Sequence, residues 1–163
     1  QRQMCIRDSP MPTPALIVRQ EGNNAHTHPF VSVYEAYKKS GPNVLGVEAL
    51  QGDDGCTGVK VNTADGYADI FSATDMQAHH PSKRVSFCGG LGLIREKEGQ
   101  IQLMYLGCGR SLKKGNFVLE SDHDVYAAIY MQHGVWYYSA TGPVRVKIGK
   151  ETKELNEGYN QKL

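Results

Sequence analysis

The chain has 163 residues, 40% of them apolar and 21% charged, with a net charge of +1. That length supports one domain with a real core and is too short for two large ones, and the balanced charge leaves no basic footprint for nucleic acid and no polybasic anchor for a membrane surface. No apolar run approaches the roughly 18 residues that cross a bilayer, while eighteen Gly, nine Tyr and frequent Val favour many short strands joined by tight turns.

Residues Gln1 to Ser9 (QRQMCIRDS) have neither the apolar centre of a signal peptide nor a helical or strand period. The string resembles a translated sequencing-adapter read, so residues 1–13 are expected to be an artefactual or disordered lead-in, with the gene extending upstream. Ala15 to Gln20 reads as a first strand and Gly22-Asn23-Asn24 as a turn. His28 to Tyr37 (HPFVSVYEAY) is the longest β-branched and aromatic run of the N-terminal third and reads as a second strand, apolar on both faces.

Val44 to Gln51 is a third strand. Thr57 to Thr63 and Tyr67 to Ser72 flank Asp65-Gly66, a type I′ hairpin signal that pairs Val61 with Ile70 on a predicted core face. Ala73 to Lys83 reads as a loop. Short strands follow at Arg84 to Phe87, Leu91 to Arg95, Ile101 to Leu106, Arg110 to Leu112 and Asn116 to Ser121.

The clearest hairpin joins Asp124 to Gln132 with Val135 to Thr141 through His133-Gly134. A two-residue loop there pairs Met131 with Trp136 and Ile129 with Tyr138 on a core face, and leaves Tyr126, Tyr130 and Tyr137 together on the other. Pro143 to Lys150 alternates as a last strand. The expected organisation is therefore an all-β, antiparallel two-sheet β-sandwich of about a dozen short strands with little or no helix. It spans residues 14–150 and is followed by a polar C-terminal tail over 151–163.

Chemistry-bearing motifs are sparse. His26 and His28, with Glu35 downstream, have the i, i+2 spacing that lets two imidazoles share a metal, as in a cupin-like metalloenzyme. The spacing to Glu35 departs from that pattern, and surface or turn-stabilising His is the simpler reading. His79-His80 before Pro81 reads as loop, and Asp122-His123-Asp124 as a polar turn rather than an acid–base dyad. Cys5, Cys56, Cys88 and Cys108 contain no C-x-x-C pair. No catalytic residue, no metal site and no cofactor is assigned. Tyr126, Tyr130 and Tyr137 are candidate carbohydrate-binding residues, because pyranose rings stack on aromatic platforms while their hydroxyls reach the phenol groups.

Leu16-Ile17-Val18-Arg19 leading into His28-Pro29-Phe30-Val31-Ser32-Val33-Tyr34-Glu35-Ala36-Tyr37, then Gly58-Val59-Lys60-Val61, Asp69-Ile70-Phe71-Ser72, Leu103-Met104-Tyr105-Leu106-Gly107 and Leu112-x-x-Gly115, resemble the C-terminal β-sandwich region of heparinase II/III-like polysaccharide lyases. Ala36 stands where that family usually has Pro. The resemblance implies a secreted or periplasmic parent in which an upstream α/α toroid cleaves a uronic-acid polysaccharide by β-elimination. This chain would be the non-catalytic portion that packs against the toroid and supports the substrate cleft. The implied partners are that catalytic domain of the same parent chain and the polysaccharide, with neither nucleic acid nor membrane. A freestanding carbohydrate-binding module is the alternative.

Overall fold

The structure, a computed structural model, describes residues 31–35, 41–50, 55–81 and 85–163. By its contacts the chain divides into residues 1–30 and 31–163, and every described residue lies in the second unit. Eleven strands follow one another without a helix among the described residues: β1 (Val44–Leu50), β2 (Cys56–Thr63), β3 (Gly66–Ala73), β4 (His80–Pro81), β5 (Val85–Lys97), β6 (Gln100–Lys114), β7 (Phe117–Gln132), β8 (Val135–Ala140), β9 (Val144–Ile148), β10 (Glu151–Leu155) and β11 (Gly158–Lys162). All pairings are antiparallel, as expected from sequence.

The strands form one hydrogen-bonded network. β1-β2-β3-β5-β6-β7-β8-β11 lie side by side, with β4 on β5, β9 on β7 and β10 on β9. Segments that read as separate short strands are continuous: β5 runs through Gly89-Gly90, β6 through Gly107 to Gly109, and β7 through Ser121 to Asp124. A 16-residue strand such as β7 is about 50 Å long if straight. Instead it bends, and its two ends pair with different neighbours, Phe117–Glu120 with β9 and Ala127–Gln132 with β8.

The bend has a local cause. Between the pairs Ser111–Glu120 and Gly109–Val125, one residue of β6 stands against four of β7, which turns the strand as a bulge does. On the other side of β6, Gly89 packs against Gly109. A Cβ on Gly109 would lie 2.6 Å from the Cys88 carbonyl oxygen and 2.7 Å from Gly89 Cα, so only glycine admits the neighbouring backbone.

Folding at this crease brings the halves of the network face to face. Phe71 meets Phe87 with ring centroids 6.1 Å apart, and Phe117 meets Trp136 at 5.9 Å. Phe87, Ile94, Met104, Leu106, Leu112, Leu119 and Ile129 are fully buried in the cluster between.

The final hairpin matches its sequence reading residue for residue. His133 (φ 51°) and Gly134 (φ 77°) form the turn, Met131 faces Trp136 and Ile129 faces Tyr138. The β2–β3 hairpin does not. Thr63 pairs with Gly66, so the loop is Ala64-Asp65 and Val61 faces Ala68 rather than Ile70. Gly66 is required in the strand, because a Cβ there would lie 2.0 Å from the Glu96 carbonyl oxygen of β5. Nor is the Val59–Val61 side the main core face: Phe71 of the opposite face enters the core cluster, whereas Val61 is buried outside it.

Two further expectations change. Residues 31–35 of the HPFVSVYEAY run form no strand, with Val31 and Val33 exposed, and Glu35 instead accepts hydrogen bonds from the amides of Asn43 (2.8 Å) and Val44 (3.0 Å). The rest of that run and the Ala15–Gln20 strand lie outside the described residues. The stretch read as a polar tail is polar but paired: β10 adds to β9 and β11 to β8, with Leu155 and Leu163 packed against the core.

Candidate functional site

Alternation along β6, β7 and β8 sets two rows on the face that points away from the core. Tyr105 stands opposite Ala128 and Ala128 opposite Ser139, and one row on come Leu103, Tyr130 and Tyr137. The predicted trio is thereby divided. Tyr130 and Tyr137 stack on each other, centroids 6.0 Å apart and planes 17° apart, and the Tyr130 hydroxyl donates to Asn160 Oδ1 at 2.5 Å. Tyr126 is 54% exposed and lines a groove of about 650 Å³ with Tyr105, Tyr159, Glu157, Ser139 and Thr141.

Backbone hydrogen bonds run along the groove. Tyr126 and Thr141 exchange hydrogen bonds at the end of the β7–β8 ladder, amide to Oγ1 at 3.0 Å and amide to carbonyl at 3.0 Å. Asn160 takes a positive φ of 51° at the β11 irregularity and donates its amide to Ser139 Oγ (2.9 Å), next to Tyr159, which stands 87% exposed. Phenol rings, hydroxyls and one carboxylate lining an open groove suit a sugar face and its hydroxyl rim. Tyr105 and Tyr159 were not singled out in sequence. The outward position of Tyr105 depends on its pairing with β7, and Tyr159 sits in a stretch with no strand period.

A second cluster, with Asp69 buried and Tyr67, Glu96 and Lys114 partly buried, lies at the edge of the core. Lys114 Nζ of β6 donates to Asp69 Oδ2 (2.8 Å), Glu96 Oε1 (2.6 Å) and the Tyr67 hydroxyl (3.3 Å), and Tyr67 donates to Glu96 Oε2 (2.5 Å). Lys60 covers the Tyr67 ring at 3.9 Å from its centroid. Burial alone would lower the Lys114 pKa, but the hydrogen bonds to Asp69 and Glu96 outweigh it and hold the ammonium above its ordinary value. Burial would likewise raise Glu96, yet Lys114 and Tyr67 keep it below. Tyr67 is pushed up, by burial first and by Glu96 second.

A β-elimination base must give up its own proton at working pH. Here lysine and tyrosine hold their protons, and the glutamate, although ionised, has one oxygen engaged by Lys114 and the other by Tyr67. The cluster is a clamp joining β2, β3, β5 and β6.

The remaining candidates are dispersed. His26 and His28 lie outside the described residues, and both oxygens of Glu35 are engaged by backbone amides. Among the described residues no group of three or more His, Cys, Asp and Glu is placed to hold a metal ion. His79 Nε2 meets Ser86 Oγ at 2.8 Å, whereas the buried His80 turns its Nε2 to the Asp75 carbonyl at 3.2 Å, so the pair does not converge. Asp122, His123 and Asp124 lie in the bend of β7 rather than in a turn, and Asp124 is taken by Arg110 (2.9 Å) and Gln77 (3.0 Å). Cys88 is buried, and that burial pushes its thiol pKa up, which makes it a poor nucleophile.

Comparison with known proteins completes the picture. An endo-acting ulvan lyase of Formosa agariphila is 33% identical over 118 residues, which is 68% of this chain and 14% of that protein. The chain thus spans about one seventh of the length of that curated relative. No solved structure matches. The family model described as the endo-acting ulvan lyase C-terminal domain matches residues 44–131, from the first residue of β1 almost to the end of β7. Because that match takes in more than half of the chain and the whole crease with its clamp, the chain belongs to the family of endo-acting ulvan lyase C-terminal domains.

Proposed function

We propose that this chain is the non-catalytic C-terminal β portion of a secreted or periplasmic polysaccharide lyase with a heparinase II/III-like plan. A separate domain of the parent performs β-elimination on a uronic-acid polysaccharide. This domain packs against it and extends the substrate cleft with the groove of Tyr105, Tyr126 and Tyr159. The groove is the observation that carries the reading: three phenol rings, a carboxylate and hydroxyls gathered on one exposed face. The inert protonation of the Lys114 cluster supports the assignment of the chemistry elsewhere, and the relative's name supplies the polysaccharide to try first.

Affinity electrophoresis of the chain through ulvan-containing gels tests it. The chain is retarded, and Tyr126→Ala or Tyr159→Ala, both at exposed positions, weakens the interaction about tenfold, the equivalent of about 1.4 kcal/mol and within the range of one aromatic contact. Equal mobility with and without polysaccharide sinks the reading. Incubated with ulvan, the chain alone releases no unsaturated product. A freestanding carbohydrate-binding module uses the same groove, and DNA upstream of codon 10 separates the two readings by encoding, or not encoding, a catalytic segment.

A further inference from the structure

The groove occupies only one half of the outward face. On the other half, the registers of β1, β2, β3 and β5 align Val47 with Val61, and Val59 with Ile70 and Leu93. These side chains lie on the opposite side of the sheet from Phe71 and Ile94 of the core rows; Val61 is buried there, Val59, Ile70 and Leu93 are partly buried, and the exposed part of the row is at Val47. An antiparallel sheet with one solvated face alternates apolar inward and polar outward. On β1 the order is inverted: the inward-row residue Glu48 is charged and held by Asn62, while Val47 and Leu45 stand outward or at the bulge, 47% and 70% exposed. A sheet that is apolar on both faces is a sheet covered on both faces.

We infer that this aliphatic half is the docking surface for the preceding part of the same polypeptide, the catalytic portion of the parent lyase. The inference rests on the functional reading above and adds the face and the side to it. Three observations select this occupant over others. The relative extends far beyond the matched stretch, which is 14% of it, so most of such a parent lies outside this chain. The described chain enters the network at β1, the terminal strand of the order, where the patch is most exposed. The segment leading into that strand carries exposed Val31, Val33 and Tyr34 and is fastened to the start of β1 through Glu35. Docking here leaves the tyrosine half of the same face, with the groove of Tyr105 and Tyr126, uncovered.

The test places Val47→Lys and Leu45→Glu in two proteins, the 163-residue chain and the parent polypeptide read from the upstream gene. In the chain alone the melting temperature is unchanged, since both side chains are exposed. In the parent the C-terminal transition falls by about 4 °C or more, and amide exchange in β1 and β2, at least tenfold slower in the parent than in the chain, returns to the isolated rate. Equal losses in both proteins mean that the 163-residue chain covers its own patch and overturn the inference, as does the absence of change in either. Concentration-dependent self-association of the chain that Val47→Lys abolishes overturns it in favour of a second copy. An upstream gene that encodes no further domain refutes the functional reading itself, a result distinguishable from all of these.

Discussion

Lys114 shows how one side chain fixes the pH range of the fold. Its ammonium compensates one buried and one partly buried carboxylate, and Asp69 Oδ1 has no hydrogen-bond partner of its own. Replacing Lys114 by methionine leaves the buried Asp69 charge uncompensated beside Glu96, and the expected loss is about 3 kcal/mol by urea unfolding at neutral pH. The sign of the pH dependence follows from the directions of the shifts. Glu96 is depressed below its ordinary 4.5, so its contribution is present above that value and is lost as pH falls through the folded pKa. Lys114 is raised above 10.5, so its contribution is complete below 10.5 and is lost as pH rises through the folded pKa. The wild-type chain is therefore most stable between these limits. Lys114→Met gains stability relative to wild type as the medium is acidified, because protonation then relieves the paired carboxylates. A parallel acid decline in both proteins would exclude the clamp. None of this was legible in the sequence, since Lys114 and Asp69 are 45 residues apart and nothing local marks either as buried.

At the scale of elements, what was legible followed from local chemistry. The His133-Gly134 hairpin has strict alternation on both sides and a turn that only its own two residues decide, and the structure reproduces its register. Asp65-Gly66 carries an equally strong turn signal, but the close passage of the β5 backbone claims the glycine for the strand. The same ambiguity hid the long strands. Gly89-Gly90 and Gly107 to Gly109 look like loops because glycine punctuates loops, and here they mark the crease. Gly109→Ala is expected to destabilise by about 1–3 kcal/mol, read as a lower urea midpoint with an unchanged slope. An unchanged midpoint would mean that the crease tolerates a Cβ and is not set by backbone contact.

Over the whole molecule, composition and alternation carried the all-β antiparallel class, and the quoted strand motifs carried the expectation of a polysaccharide-lyase C-terminal region. The candidate site was half legible. Alternation along β7 and β8 placed Tyr126, Tyr130 and Tyr137 on one face, but strand pairing divided them and supplied Tyr105 and Tyr159. The aliphatic half of that face escaped notice for the same reason, because Val59 and Ile70 read as core until the register shows which side faces Phe87.

Continuity of the strands through the crease has a thermal consequence. Each of β5, β6 and β7 contributes hydrogen bonds to both halves of the network, so neither half can melt and leave the other intact. Scanning calorimetry of residues 31–163 as they stand in the chain should record them as a single heat-absorption peak whose van't Hoff and calorimetric enthalpies agree. Two stacked but unconnected sheets would have no such obligation.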